Sequence, residues 1–300
     1  MRVVVAGAGT IGSLFAAHLA RVADVGVLTR REEHARTLSE RGLRVSGRSD
    51  FTVRVSASTD PGELGDPELV IVACKGGDLE PLAATIGGHF AGATVMTTQN
   101  GLGAEEIVAA HGGWPLLSAV TFMSGTRHDD AHVQYVLDTA TWIGPYRDTS
   151  PEDAASVAEL IRSSGLKAEA FPDLRPAQWS KLIFNATVNA VAALTGLPHD
   201  AHFAEGMLGD LVHDLVDEGK AVAAAAGAEL GEDPWEMNVH ATRRGHAHYP
   251  SMLEDVTAGR PTEIELITGS LVREAERHGV GVPLHAALYA LVRAKEASYS

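Results

Sequence analysis

Three hundred residues, 45% hydrophobic and 21% charged, describe an ordinary globular chain that is longer than a single core usually grows, so two domains are expected. A formal net charge of −15 argues against nucleic acid or an anionic membrane surface as partner, so an anionic ligand requires a locally basic site. One cysteine, Cys74, excludes an internal disulfide framework and fits a reducing compartment; with no leader or bilayer-length apolar run legible, a soluble cytoplasmic protein is expected.

The first half alternates short apolar runs with helical or turn-rich segments. Val3–Ala6, Val25–Leu28, Leu69–Ala73, Thr94–Thr97 and Leu116–Phe122 read as buried strands, the pattern of βαβ units around a parallel sheet. The first strand runs into VVVAGAGTIGSLFAAHLA, which carries Gly7-x-Gly9-x-x-Gly12 with Thr10 and Ile11 at the start of the next helix. In a dinucleotide fold Gly7 makes the tight turn, Gly9 lets the backbone approach a pyrophosphate, and Gly12 lets helix and strand pack closely. The helix N-terminus adds unpaired N–H groups and a positive dipole. The other reading of the motif is a bare glycine turn.

The second strand ends in LTRREE. An NAD site usually has an acidic residue there, whereas Arg30 and Arg31 offer a guanidinium fork suited to a 2′-phosphate, which favours NADP(H). The alternative is that both arginines are solvated residues opening a helix and that Glu32 or Glu33 takes a ribose. An S-adenosylmethionine loop needs an acidic residue at the same place, and the arginine pair argues against it. Strand ends further along offer Lys75, in VIVACKGGD, and Asn100, in VMTTQNGLG, as contacts for cofactor or substrate. A solvated loop lysine and a turn asparagine are the competing explanations.

VQYVLDTATWIG reads as a late hairpin added to the sheet, and SPEDAASVAELIRSSG as a helix capped by Ser150, opened by Pro151 and ended by Gly165. After the linker at FPDLRPAQWSK only helical patterns follow: Ala177–Leu194, opened by Pro176, then Gly209–Ala226, a segment around Pro234–Arg244, Ser251–Ala258, Thr262–His278 and Pro283–Ala297. The expected fold is an α/β Rossmann-type domain over 1–174, a mostly parallel sheet with helices on both faces, followed by an all-α domain over 175–300.

Within that second half, QWSKLIFNATVNAVAAL places Lys181, Asn185 and Asn189 one turn apart, within about 80° of arc on an otherwise apolar helix. A buried cation and two amides are costly without partners, in the protein or in a ligand. Desolvation lowers a lysine's pKa towards neutrality, which suits a proton donor to a developing alkoxide, and a nearby carboxylate opposes the shift. Glu263 is the candidate carboxylate, although a first-turn glutamate also gains from the helix dipole. Glu265 is accounted for by a capping box with Thr262, and Ser251 reads equally well as an N-cap.

These residues, in this order, resemble the ketopantoate reductase (2-dehydropantoate 2-reductase) family over nearly the whole chain. The match comprises Gly7, Gly9 and Gly12, Arg30, Lys75, Asn100-Gly101, the helix WSKLIFNATVNAVAAL, and SMLEDVTAGRPTEIELITG with its serine and glutamate. The resemblance implies NADPH-dependent reduction of 2-dehydropantoate to (R)-pantoate, on the route to pantothenate and coenzyme A. It implies that Lys181 is the general acid and Glu263 orients it, that Asn185, Asn189 and Ser251 bind substrate, and that Asn100 stands between substrate and cofactor. The polar stripe would face an interdomain cleft, and a homodimer is a further expectation. Two positions depart from the family pattern: Thr268, where an asparagine is frequent, and His248, which some members replace by asparagine. Both bear on substrate identity.

Other chemistries lack support. The chain has no HExxH, CxxC, P-loop or Gly-x-Ser-x-Gly, so no metal site is expected; His213 and Asp217 suit a solvated helix face better than a metal. Two rivals are kept: the same chemistry on another branched 2-oxo acid, and a non-catalytic NADP(H) sensor, which would not need the Lys181 and Glu263 set.

Overall fold

The computed structural model describes residues 1–200, 205–244 and 249–299. The chain divides into two compact units, Met1–Gln99 with Ala104–Leu174, and Asn100–Gly103 with Arg175–Ser300.

The first unit is built on an eight-stranded sheet. In chain order its strands are β1 (Arg2–Ala6), β2 (Asp24–Leu28), β5 (Ser56–Ser58), β6 (Leu69–Val72), β7 (Thr94–Thr97), β8 (Leu116–Thr121), β11 (Thr141–Tyr146) and β12 (Ala168–Ala170). Their spatial order is β12-β11-β8-β7-β6-β1-β2-β5, parallel throughout except for the antiparallel β8/β11 pair. Strands β6 and β8 are buried along their whole length and β1 from Val3 onward, as apolar strands covered on both faces must be. From β1 the chain moves outward through β2 to β5, then returns beside β1 as β6. The ends of β1 and β6 therefore form the topological switch, the place where open α/β sheets bind ligands.

A second sheet, absent from the sequence-based expectation, has the order β4-β3-β10-β9, with β3 (Leu43–Gly47), β4 (Phe51–Val53), β9 (Ser124–Asp129) and β10 (His132–Leu137). It corrects the expected hairpin over VQYVLDTATWIG. β10 pairs instead with β9 and β3, while β11 pairs with β8 and β12, so the chain changes sheets at Asp138–Ala140. The tight connection is the one before β10, where the Asp129 carboxylate accepts the Ala131 N–H at 2.7 Å. Helix α1 (Thr10–Leu19) packs against β1 and β2 of the large sheet and β3, β9 and β10 of the small one. It is consequently buried without a break from Gly12 to Leu19, and Leu14, Phe15 and Leu19 are the centre of this core.

The remaining helices of this unit are α2 (Glu32–Arg41), α3 (Leu79–Gly87), α4 (Ala104–Ala109) and α5 (Pro151–Ser163). Ser150 caps α5 by accepting the Asp153 N–H at 3.2 Å, with Pro151 at the first position and Gly165 beyond the end at φ +94°.

The second unit is helical, with no strand among its described residues. Its helices are α6 (Arg175–Thr195), α7 (Met207–Ala225), α8 (Pro234–Arg244), α9 (Ser251–Thr257), α10 (Thr268–His278) and α11 (Pro283–Glu296), and α6 packs against all the others. The approach to α7 is close: a Cβ on Gly219 would lie 2.6 Å from Ile183 Cγ2. The expected helix over Thr262–His278 is corrected, because Glu263–Ile267 is a compact turn and α10 begins only at Thr268. The expected capping box is not formed. Thr262 Oγ1 accepts the Ile264 N–H at 3.1 Å, while Glu265 takes the Tyr289 hydroxyl at 2.8 Å and Arg293 Nε at 3.2 Å.

Helix α11 has no cap of its own; Glu218 of α7 supplies one. Its carboxylate accepts the N–H groups of Leu284 and His285, each at 3.0 Å, and faces His285 Nδ1 at 2.9 Å. Burial raises the carboxyl's pKa, but the His285 ring and the two N–H groups outweigh it and hold it below the ordinary carboxylate value. A depressed folded-state pKa stabilises above the unfolded value of about 4.3, and that stabilisation is lost as pH falls through the folded value. Glu218→Gln should therefore lower the unfolding free energy at pH 7 by about 1–2 kcal/mol, with the deficit closing under acid conditions. Equal denaturant midpoints at pH 7 would contradict this role.

Candidate active site

The glycine turn divides the work between its three glycines. Gly7 lies at φ +107°, and a Cβ there would come within 2.7 Å of Cys74 N. A Cβ on Gly12 would lie 1.9 Å from Gly7 O, so both positions are fixed by the strand and helix crossing. Around Gly9 the nearest atom to such a Cβ is Ala73 O at 3.9 Å. Internal packing therefore does not require glycine at 9, where the backbone is left open to a close approach. Gly9 is also the N-cap of α1, with no side-chain cap and no acidic residue in the first turn, which leaves the N–H groups around Thr10, Ile11 and Gly12 available to an anion. These features fit the pyrophosphate of a dinucleotide.

Beyond β2, Arg30 is exposed and its Nη1 meets Asp78 Oδ1 at 2.5 Å, whereas Arg31 Nη2 meets Asp130 Oδ1 at 2.5 Å. Glu32, the acidic alternative for a ribose, accepts the Thr59 hydroxyl. Lys75 is exposed just past β6, where it begins the 3-10 turn Gly76–Asp78. Gln99, unnoticed in the sequence, closes this corner: its amide donates to Val72 O at 3.2 Å and Cys74 O at 2.9 Å, joining the ends of β6 and β7. Its only sequence signal was its place beside Asn100 at a strand end.

In the helical unit the polar stripe of α6 is buried, with Lys181 and Asn185 8% and Asn189 3% exposed. Burial is the larger influence on Lys181 and lowers its pKa; the charge of Glu263 opposes it, leaving a value of about 8. Glu263, 9% exposed, accepts the Asn100 amide at its Oε2 at 3.0 Å. Its own backbone carbonyl accepts Leu266 N–H at 3.2 Å and Ile267 N–H at 3.0 Å, so the turn fixes the backbone from which its side chain leaves. Asn100-Gly101 is more than a turn. Gly101 lies at φ +98°, a Cβ on it would sit 1.6 Å from Leu266 O, and Leu102 N–H donates to that carbonyl at 3.0 Å. The Asn100 loop is thus seated on the turn that carries Glu263.

Asn189 Oδ1 accepts Met252 N–H at 3.4 Å, so it approaches the first turn of α9. Ser251 begins that helix, exposed, and the expectation that it is the N-cap is corrected: Pro250 holds that position and no side chain of the helix caps it. Lys181, Glu263 and Asn100 therefore form one linked group, and Asn189 reaches the first turn of α9, on which Ser251 lies. Thr268 is fully buried, and its hydroxyl has no hydrogen-bond partner among the described residues. His248 lies outside the described residues.

Known proteins match the chain throughout. The family model described as ketopantoate reductase PanE/ApbA matches residues 3–148, and its C-terminal counterpart matches residues 173–296. A 2-dehydropantoate 2-reductase of Halobacterium salinarum is 34% identical over 299 residues, covering 98% of each chain. Among solved structures, a PanE/ApbA family ketopantoate reductase from Ralstonia eutropha superposes with a TM-score of 0.92 at 27% identity, over 100% of this chain and 99% of the other. D-mandelate dehydrogenase in ternary complex with NADH and anilino(oxo)acetate gives 0.90 at 25% identity over the same shares. With a Rossmann-type sheet, an all-helical second unit and two family matches that together span most of its length, the chain belongs to the ketopantoate reductase family of oxidoreductases.

Proposed function

We propose that the protein reduces 2-dehydropantoate to (R)-pantoate with NADPH, and that Lys181 is the proton donor. The observation that carries this reading is the buried Lys181 ammonium held near pKa 8 against Glu263. A general acid works best with a pKa near the working pH, and an ordinary lysine at 10.5 is too weak an acid for the task.

Gly7, Gly9, Thr10, Ile11 and Gly12 hold the cofactor's pyrophosphate, Arg30 its 2′-phosphate, and Lys75 and Asn100 contact it further along. A nicotinamide held there would supply the hydride to the carbonyl carbon. As the carbonyl's electron pair collapses onto oxygen, Lys181 Nζ delivers the proton that makes the hydroxyl and is left neutral, a form that burial favours. Glu263 steers the lysine, and its negative charge favours the ammonium that re-forms when Lys181 takes a proton back from water. Asn185 and Asn189 bind the substrate's polar atoms, and the Ser251 hydroxyl, with no cap to make, serves the carboxylate. Such donors convert a floppy 2-oxo acid into an oriented one.

The likeness to D-mandelate dehydrogenase supports a second reading, the same chemistry on another branched 2-oxo acid. A non-catalytic sensor has no use for a desolvated lysine and its carboxylate. Loss of reduced-nicotinamide absorbance with 2-dehydropantoate tests the first reading directly: rapid oxidation of NADPH is expected, and none would move the search to other 2-oxo acids. Lys181→Ala should lower kcat by about 10²–10⁴-fold while NADPH still binds, and unchanged turnover would contradict the assignment.

The pH profile offers a separate check. The donor must be protonated, so the reductive rate should fall as pH rises through about 8. Glu263→Gln removes the influence that raises the lysine pKa, so the falling limb should move to lower pH. A limb that stays in place would exclude Glu263 from this role.

A further inference from the structure

The Arg30–Asp78 pair is placed where no fold requirement explains it. In the sheet order β6-β1-β2, Arg30 follows β2 and Asp78 follows β6, so the pair reaches across the end of β1, from which the glycine turn leaves. Asp78 occupies the N-cap position of α3, yet its side chain makes no cap hydrogen bond and is turned to Arg30 Nη1 at 2.5 Å. Both side chains are solvent-exposed, 79% for Arg30 and 49% for Asp78, so neither is held there by burial. Arg31 differs. Its partner Asp130 is only 23% exposed, also meets Arg127 at 3.3 Å, and presents its backbone carbonyl to His34 at 2.9 Å, which makes that cluster structural.

We propose that Asp78 sets the cofactor preference by pre-neutralising Arg30, weakening the hold on a 2′-phosphate while leaving NADH binding untouched. The inference rests on the reading that Arg30 takes the 2′-phosphate. A guanidinium has five donors, so Arg30 can keep Asp78 and still reach a phosphate, but the two anions then share one cation and repel each other. Where a serine, asparagine or glutamine would leave Arg30 entirely to the cofactor, this carboxylate makes NADPH and NADH closer competitors.

Asp78→Asn preserves the shape and removes the charge. Coulomb's law for a carboxylate and a nearly doubly charged phosphate about 5 Å apart in water gives about a tenfold effect at low salt. Dissociation constants read from reduced-nucleotide fluorescence should therefore show NADPH binding about tenfold tighter to Asp78→Asn than to the wild type, with NADH altered less than twofold. The NADPH gain should shrink at about 0.5 M salt, where exposed charges are screened, a dependence that a packing effect would lack. An unchanged NADPH to NADH ratio would overturn the proposal. So would a selective loss of NADH affinity, which would make Asp78 a ribose ligand. Arg30→Ala, measured alongside, separates the two levels: if it abolishes the NADPH preference and Asp78→Asn does nothing, only the inference about Asp78 fails. If Arg30→Ala leaves the ratio intact, the phosphate assignment itself fails.

Discussion

An ammonium group 8% exposed on an apolar helix is the constraint around which the helical unit is organised. Left alone, the Lys181 charge would shed its proton, because removing an ion from water costs far more than neutralising it. Glu263 offsets part of that cost, and the remainder is the shift from 10.5 to about 8. The carboxylate must then be held in turn. The Thr262–Ile267 segment does this with backbone hydrogen bonds inside the turn, with the Glu296 carboxylate accepting Thr262 N–H at 2.6 Å, and with the Asn100 amide on Glu263 itself. A glycine at 101 follows from the same arrangement, since no side chain fits against Leu266 O.

On the proposed reading the sheet unit solves a different problem, that of giving an anion a backbone to bind in a chain whose net charge is −15. Burying α1 between two sheets fixes its N-terminus rigidly at the end of β1, and two of the three glycines are needed for that crossing alone. Only Gly9 is left open. The basic side chains around the turn are accompanied by carboxylates, Asp78 and Asp130, so positive charge is available but already shared. Under the proposed role of Arg30, selectivity in such a corner would depend on how far that guanidinium is already paired.

Much of this was legible in the sequence, for physical reasons. Strands buried on both faces are continuous apolar runs, so β1, β2, β6, β7 and β8 were found within a residue or two. The lysine and asparagine stripe stood out because it contradicts its surroundings. Strands β3, β4, β5, β9 and β12 did not, since β4, β5 and β12 have three residues each, β3 is only half buried and β9 is mostly exposed. Local signals also misled where tertiary contacts overrode them. Thr262 and Glu265 have capping-box spacing, but Glu265 is drawn to Tyr289, Arg273 and Arg293, and the helix starts six residues later. Ser251 has N-cap chemistry, yet Pro250 takes that place and Asn189 approaches the helix end from α6. Long-range partners of this kind, like the Gln99 clamp on Val72 and Cys74, leave no trace in spacing.

The central claim concerns one proton on one nitrogen, and the chain has only five lysines, so that nitrogen can be observed directly. Titration of protein carrying isotope-labelled lysine, with Lys181 assigned by the resonance missing from a Lys181 variant, would give its pKa in the folded state. A midpoint near 8 is the predicted result. A midpoint near the ordinary 10.5 would mean that the ammonium is neither desolvated nor poised, and the account of the site would fail with it.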